Sequence, residues 1–277
     1  MAELRYRREM RVRPRKIRDG EMFCAMPRRL ADRFAEEVLI VSFMADRKLF
    51  GLAYRGLQPD YFDVMPRDSG VFVSPLVRTS DIIASAKKPG DIDLLVIPYE
   101  DNELVLDRIL AIEVKAVRAK FSRPGKSPNE FGFSQAAALS DLGFPYVAVA
   151  HLIISDVSPK DKWCERLSAE VLDYEGNVKL LGPTKIDPLP EHLTDRCFGR
   201  LQHHCRLSDV GLLSAYLFSP LFNNVEPGQH MIHFPSGRAA QFNRRFDLET
   251  LNAIGDYFDD NASKFLDNPR CDPSVWG

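Results

Sequence analysis

No run of about 18 uninterrupted apolar residues occurs anywhere in the 277-residue chain, so the sequence offers no membrane-spanning helix. The basic start has no apolar stretch behind it, so it does not read as a secretion signal. Cysteine is sparse and badly placed for a disulfide framework, with five residues (Cys24, Cys164, Cys197, Cys205 and Cys271), an odd number with wide gaps. That pattern fits a reducing compartment, and the expectation is a cytoplasmic protein without membrane contact. Bulk charge is lacking too. A formal net charge of −2 argues against a chain that coats nucleic acid by its total charge. No glycine-rich phosphate loop or nucleophile elbow is present, which disfavours nucleotide hydrolysis and serine-hydrolase chemistry.

What is present is an ordinary globular composition, 45% hydrophobic and 27% charged, with enough length for a sizeable core. The charge is unevenly spread. Residues 1–18 hold eight Lys/Arg against Glu3 and Glu9, while residues 247–277 hold seven acids against Lys264 and Arg270. The basic end reads as an arm over 1–27, either a solvated tail or a polyanion contact.

From Arg28 the pattern turns helical, with Leu30, Phe34, Val38 and Val41 at steps of three and four. Glu37 falls within that stripe and Glu36 to its side. Residues 47–57 and 70–77 read as strands. Residues 91–98 and 108–117 are apolar runs carrying charges, separated by a polar loop at 99–103. Residues 128–142 read as a helix closed by Gly143, and Tyr146–Ile154 as a strand buried on both faces. A hairpin turns at Glu175–Asn177, and 207–222 and 247–266 read as helices. The fold class expected is α/β, a sandwich around a central mixed sheet. The expected division is the 1–27 arm, a 28–185 core, and a mainly helical extension at 186–277 packed on the core.

The chemistry concentrates in the two charged strands. Side chains alternate faces along a strand, so Asp91 shares a face with Asp93 and Glu113 with Lys115. Ile92, Leu94, Ile112 and Val114 take the opposite, core-facing side. If the strands pair, carboxylates and an ammonium converge at one sheet edge. Carboxylate oxygens are hard ligands suited to Mg²⁺, and a neighbouring lysine can stabilise developing negative charge. Metal-assisted phosphodiester hydrolysis needs this combination. A +4 stretch follows directly, with Arg118, Lys120, Arg123 and Lys126 placed to track a phosphate backbone.

Pro89–Val96, the Ile112-Glu113-Val114-Lys115 strand, Phe133-Ser134-Gln135 and the Leu142–Tyr146 lead into a strand together resemble the PD-(D/E)xK nuclease superfamily over residues 28–155. The resemblance implies a restriction-endonuclease-like fold and a Mg²⁺-dependent endodeoxyribonuclease, with Mn²⁺ able to substitute. By position it implies Asp93, Glu113 and Glu37 as metal ligands, Lys115 as the catalytic lysine and Gln135 as a support for substrate or water. Asp91 stays open as the alternative to Asp93, because Ile92 stands where the family motif has proline. The implied partner is DNA, in restriction, repair or defence against foreign DNA, with a partner protein or a homo-oligomer also open. The alternatives are an RNase, or a module that binds nucleic acid or protein without cutting. Pro59-Asp60, the Cys197/His203/His204/Cys205 group with His192, and His230 and His233 with Arg238, Arg244 and Arg245 read as structural rather than functional. His151 reads as a core histidine.

Overall fold

A computed structural model describes residues 6–15, 27–32, 35–86, 90–125, 127–128, 130–173, 175–218 and 234–270. Phe34, Pro89, Lys126, His230 and His233 of the reading above lie outside the described residues, as does most of the proposed 1–27 arm. The elements run β1 (Arg7–Glu9), α1 (Arg28–Asp32), α2 (Glu36–Ala45), α3 (Arg47–Leu57), α4 (Pro59–Phe62), β2 (Ser69–Arg78), α5 (Thr79–Ile82), β3 (Asp91–Glu100) and β4 (Glu103–Val105). They continue with β5 (Leu110–Arg118), α6 (Phe133–Asp141), β6 (Tyr146–Ile154), β7 (Cys164–Val171), β8 (Val178–Ile186), α7 (Leu189–His204), β9 (Gly211–Tyr216), β10 (Ser236–Arg238), α8 (Leu248–Asn261) and β11 (Leu266–Pro269).

The fold is mixed α/β around one large curled sheet. Its strands run β11–β2–β3–β5–β6–β9–β10, with β4 and then β1 continuing beside the far end of β3. β5, β6 and β9 are parallel to one another, and the other pairings are antiparallel. All nine residues of β6 are buried, as its unbroken apolar run requires. On one face, Leu39, Ile40 and Phe43 of α2 and Phe50 and Tyr54 of α3 pack on Leu94, Ile112, Val114 and Ala148. On the other, Leu139 of α6 and Ile254 and Phe258 of α8 pack on Phe72, Leu95, Ala111 and Val149. Leu193 and Cys197 of α7 cover Val117, Ile153 and Tyr216. Among the described residues, no helix is long and apolar enough to cross a membrane.

Several expectations are corrected. Residues 47–57 form a helix, not a strand. Leu49, Phe50, Ala53, Tyr54 and Leu57 are the buried positions, a spacing of helical period, and Asp46 caps the first turn by accepting the Leu49 N–H at 3.0 Å. The helix expected from 128 begins only at Phe133, after Gly132 at φ 86°. Residues 211–216 within the expected 207–222 helix are a buried strand inserted between β6 and β10. A short apolar run does not itself distinguish the two states. The described region after 186 holds more helix than strand, in α7 and α8, but it is not an extension added to a finished core, because β9, β10 and β11 are strands of the central sheet itself. Ile92 also departs from expectation. It packs with Val77 and Ile82 rather than with Leu94 and Ile112.

The described part of the basic arm is not a free tail. β1 pairs with β4, and Arg7 bonds to Glu100. Arg8 reaches Asp256 and Asp259, each at 2.7 Å, and Arg13 lies 4.8 Å from the centre of the Tyr99 ring. The two charged ends of the sequence thus neutralise each other. Asp259 has a side chain only 6% exposed, so losing Arg8 leaves this buried carboxylate with only the longer 3.5 Å contact to the exposed Arg11. Arg8→Ala is expected to cost about 1–3 kcal/mol in urea unfolding. A loss below about 0.5 kcal/mol, the scatter of an ordinary surface substitution, would show that the arm is not part of the fold.

Candidate active site at the edge of strand β5

The site forms where two paired strands part. The β3–β5 ladder runs Val96↔Leu110, Leu95↔Ala111 and Leu94↔Ile112, and then stops. Beyond that point the N–H groups of Val114 and Ala116 on β5 have no strand partner. Both are capped by carboxylates. Asp93 Oδ2 accepts the Val114 N–H at 2.7 Å, and Glu36 Oε2 accepts the Ala116 N–H at 2.7 Å. Glu113 and Lys115, alternating with these residues, join in an ion pair of 2.6 Å between Glu113 Oε1 and Lys115 Nζ. Glu36 Oε1 stands 3.9 Å from the same ammonium.

Three carboxyl groups therefore gather near one ammonium, and burial opposes ionisation of two of them, Asp93 and Glu113. Burial, followed by the charge on Glu113, pushes the Asp93 carboxyl up to about 7. Burial also raises Glu113, although Lys115 opposes it, and its carboxyl lies within hydrogen-bonding reach of Asp93. Lys115 would be lowered by its burial, but the hydrogen bond and charge of Glu113 outweigh that and hold it firmly protonated. His151, aligned with Lys115 across the β5–β6 ladder, is held near 4 by burial and is neutral at pH 7. Its Nδ1 lies 3.3 Å from Cys197 Sγ and its Nε2 3.3 Å from the Phe131 carbonyl, so it is a satisfied core histidine.

Backbone conformation closes in on the cluster from two sides. Gly132, the residue before α6, has φ 86°, and a Cβ there would lie 2.9 Å from Glu113 Cγ and 3.6 Å from Lys115 Cε. Only glycine satisfies both demands. On β2, between the residues paired with Leu94 and Ile92, Leu76 has φ 53°, a conformation that costs a leucine about 1 kcal/mol or more. It thus stands across from Asp93. A groove of about 390 Å³ opens over Glu36, Lys115 and Ala116, with Arg118, Ser127, Pro128 and Glu130 as its other walls.

No family model, curated protein or solved structure matches the chain. The site's chemistry therefore rests on these side chains.

The structure brings together Asp93, Glu113 and Lys115, as the strand pattern anticipates. It separates others. Asp91 is exposed at the start of β3, opposite Arg78, and takes no part in the cluster. Glu36, rather than Glu37, is the α2 acid in contact with β5; among the described residues Glu37 makes no hydrogen bond or ion pair. The phase of α2 hid this, because Val38, Leu39, Ile40, Phe43 and Met44 are all buried and spread around more than one face. Gln135 is half-buried on the first turn of α6 and accepts a hydrogen bond from the Ser134 hydroxyl, not from the cluster. Arg118 lines the groove, and Lys120 and Arg123 are exposed on the tight turn after β5.

Two basic residues escaped the sequence reading. Arg196 and Arg200, four residues apart on α7, lie against the 125–127 loop beside the groove. Arg200 donates to the Ser127 hydroxyl at 2.8 Å, and the Arg196 guanidinium lies 3.2 Å from where a Cβ of Gly125 would stand. Their i, i+4 spacing was the available signal. The remaining constellations are structural. Pro59-Asp60 starts the short helix α4, and Arg238 binds the carbonyls of Leu207 and Val210. Cys197 is buried with its thiol pushed up to about 11, while His192, His203 and His204 are exposed.

Asp93 gives a signed pH dependence. An unfolded aspartate titrates near about 4. Between that value and about 7 the folded protein binds the extra proton, so this contribution is full at low pH and is lost as pH rises through 7. Urea midpoints are expected to fall between pH 5 and 8 in wild type and to flatten in Asp93→Asn, which can still accept the Val114 N–H. Unchanged slopes would contradict the crowded-carboxyl reading. Separately, Gly132→Ala should lose about 1–3 kcal/mol through left-handed strain and the clash with Glu113. A thermal midpoint equal to wild type would refute that.

Proposed function

We propose that the chain is a metal-dependent nuclease of the PD-(D/E)xK kind that hydrolyses DNA phosphodiester bonds. The observation that carries this reading is the meeting of Asp93, Glu113, Lys115 and Glu36 at the point where β3 leaves β5, beside an open groove whose other walls include Arg118 and Glu130. Crowded carboxyl groups beside a single ammonium suit a divalent cation, since the donors are hard oxygens and a bound cation would relieve the cost of ionising them together. Asp93, Glu113 and Glu36 would hold Mg²⁺ or Mn²⁺. When bound, the ion supplies charge neutralisation and Lewis acidity at the phosphate.

The rest falls to the chain's own groups. Lys115, kept protonated by Glu113, donates hydrogen bonds and positive charge to the phosphate oxygens as negative charge develops. Asp93, whose carboxyl burial pushes up, would give up its proton to serve as a ligand. Gln135, at the mouth of α6, supports substrate or water only after its side chain turns from Ser134. Arg118, Lys120 and Arg123, joined by Arg196 and Arg200, hold the strand by its phosphates without reading bases.

One observation favours a second reading, a module that grips nucleic acid without cutting. Among the described residues no three His, Cys, Asp or Glu side chains form a ready-made metal cage, and each site carboxylate already has a backbone or lysine partner. One experiment separates the two. Supercoiled plasmid, single-stranded DNA and RNA are each incubated with the protein in Mg²⁺, Mn²⁺ or EDTA. The nuclease reading expects metal-dependent DNA cutting that falls by about 10²–10⁴-fold in Lys115→Ala. It is overturned if folded Lys115→Ala and Asp93→Ala/Glu113→Ala variants cut as wild type does. The binding module expects no product under any ion. In either case Arg196→Ala/Arg200→Ala should weaken binding and lower the salt slope by about 2.

A further inference from the structure

Two phenylalanines flank the glycine that closes on the charged cluster. Phe131 and Phe133 stand either side of Gly132, where an added Cβ would meet Glu113 and Lys115. Their rings stack, with centroids 5.6 Å apart and planes 8° from parallel. Phe131 also lies 5.7 Å from the ring of His151 and 4.8 Å from that of His204. These rings lead from the interior to the surface. His151 is buried, Phe131 and Phe133 are half-buried, and His203 and His204 are exposed. Both phenylalanines pack in part on the layer formed by α6 and α8. Core packing accounts for that side of each ring, but not for an exposed imidazole against Phe131.

A basic track leads to the rings. Successive turns of α7 lie beside the segment before α6. The Arg196 guanidinium is 3.2 Å from where a Cβ of Gly125 would stand, Arg200 donates to the Ser127 hydroxyl at 2.8 Å, and His204 meets Phe131. Steps of four residues put Arg196, Arg200 and His204 along one side of the helix. The acids of α7 are engaged elsewhere, Glu191 by Arg166 and Asp195 by the Ser236 hydroxyl. Glu130 is the acid beside the track, against two arginines. Guanidinium groups hold phosphates whether the nucleic acid is single or double. Rings discriminate. Inside a duplex both faces of a base are covered by its neighbours, whereas an unpaired base offers a face for stacking. Arginines followed by aromatic rings, next to the residue that packs on Lys115, therefore suit a single strand.

We propose that the protein takes a single DNA strand, with phosphates on Arg196 and Arg200 and an unpaired base stacked on the surface made by Phe131, Phe133 and His204. His204 serves there as a ring, not as a metal ligand. This deepens the nuclease reading and rests on it for the placing of the scissile phosphate by Lys115. Binding is measured in EDTA, so a chain that never cuts still tests the stacking. Fluorescence anisotropy compares labelled oligo(dT), a duplex of equal length and an abasic strand with the same phosphates. Oligo(dT) should bind about tenfold more tightly than either of the others. Phe133→Leu keeps apolar bulk and removes the aromatic face. It should weaken oligo(dT) by about tenfold while leaving abasic binding, the salt slope and the thermal midpoint unchanged. Arg196→Ala/Arg200→Ala should weaken both single strands alike. The proposal is overturned if the duplex or the abasic strand binds as tightly as oligo(dT), if oligo(dT) does not bind, or if folded Phe133→Leu binds it as wild type does. Base-dependent binding without cutting under any ion would sink the nuclease reading and uphold the stacking surface.

Discussion

The separation of β3 from β5 after Leu94 and Ile112 is the constraint on which the site depends. Up to that pair the strands satisfy each other's backbone groups. Past it, β5 continues beside β6 alone, and its free edge exposes the N–H groups of Val114 and Ala116 at the margin of a core. Unpaired buried amides are costly, so something must accept from them. Asp93 and Glu36 do so, and in doing so they are drawn against Glu113 and Lys115. The same contacts that cap the strand therefore assemble the charged cluster. Structure and prospective chemistry share one set of atoms.

The cluster's electrostatics follow from that placement. Carboxyl groups fixed by the backbone cannot move apart to relieve repulsion, and burial removes the water that would otherwise screen them. Asp93 takes the largest upward displacement for this reason, and Lys115 is bound tightly enough to stay charged. Leu76 adds conformational strain on one side, which persists because the surrounding packing holds it in place, while Gly132 takes its left-handed conformation without that cost on the other. The walls differ in character. The acids lie at the strand edge, and the basic residues stand on the turn after β5 and along α7. That arrangement suits a polyanion laid across the groove toward an acidic centre where a cation would sit.

The two charged ends show a different outcome from similar raw material. Read along the chain, arginines near the start and acids near the end look like separate surfaces. In three dimensions β1 carries Arg8 to Asp256 and Asp259, and the opposed charges consume each other. The loop cations and the α7 pair, which are less conspicuous in composition, form the basic surface beside the groove.

Much of the site could be read in advance because strand alternation is a local rule. Asp93, Glu113 and Lys115 fall where period two and apolar flanks put them, and the burial of β6 follows from its composition alone. The α/β class was legible for the same reason. What failed depended on contacts between distant segments. The phase of α2 was ambiguous because almost every residue in its middle is apolar, so only packing on β5 selected Glu36 over Glu37. Residues 211–216 could be helix or strand until β6 offered an edge to pair with. Arg196 and Arg200 acquired their place from α7 lying beside the loop at 125–127. The sequence by itself determined which charged residues share a face on each strand, because a side chain's face is set by its immediate neighbours, and it left Asp91 and Asp93 to be separated by the fold. Tertiary structure decided which acid joins them and which cations flank them, because those choices depend on how far the β3–β5 ladder runs before it ends.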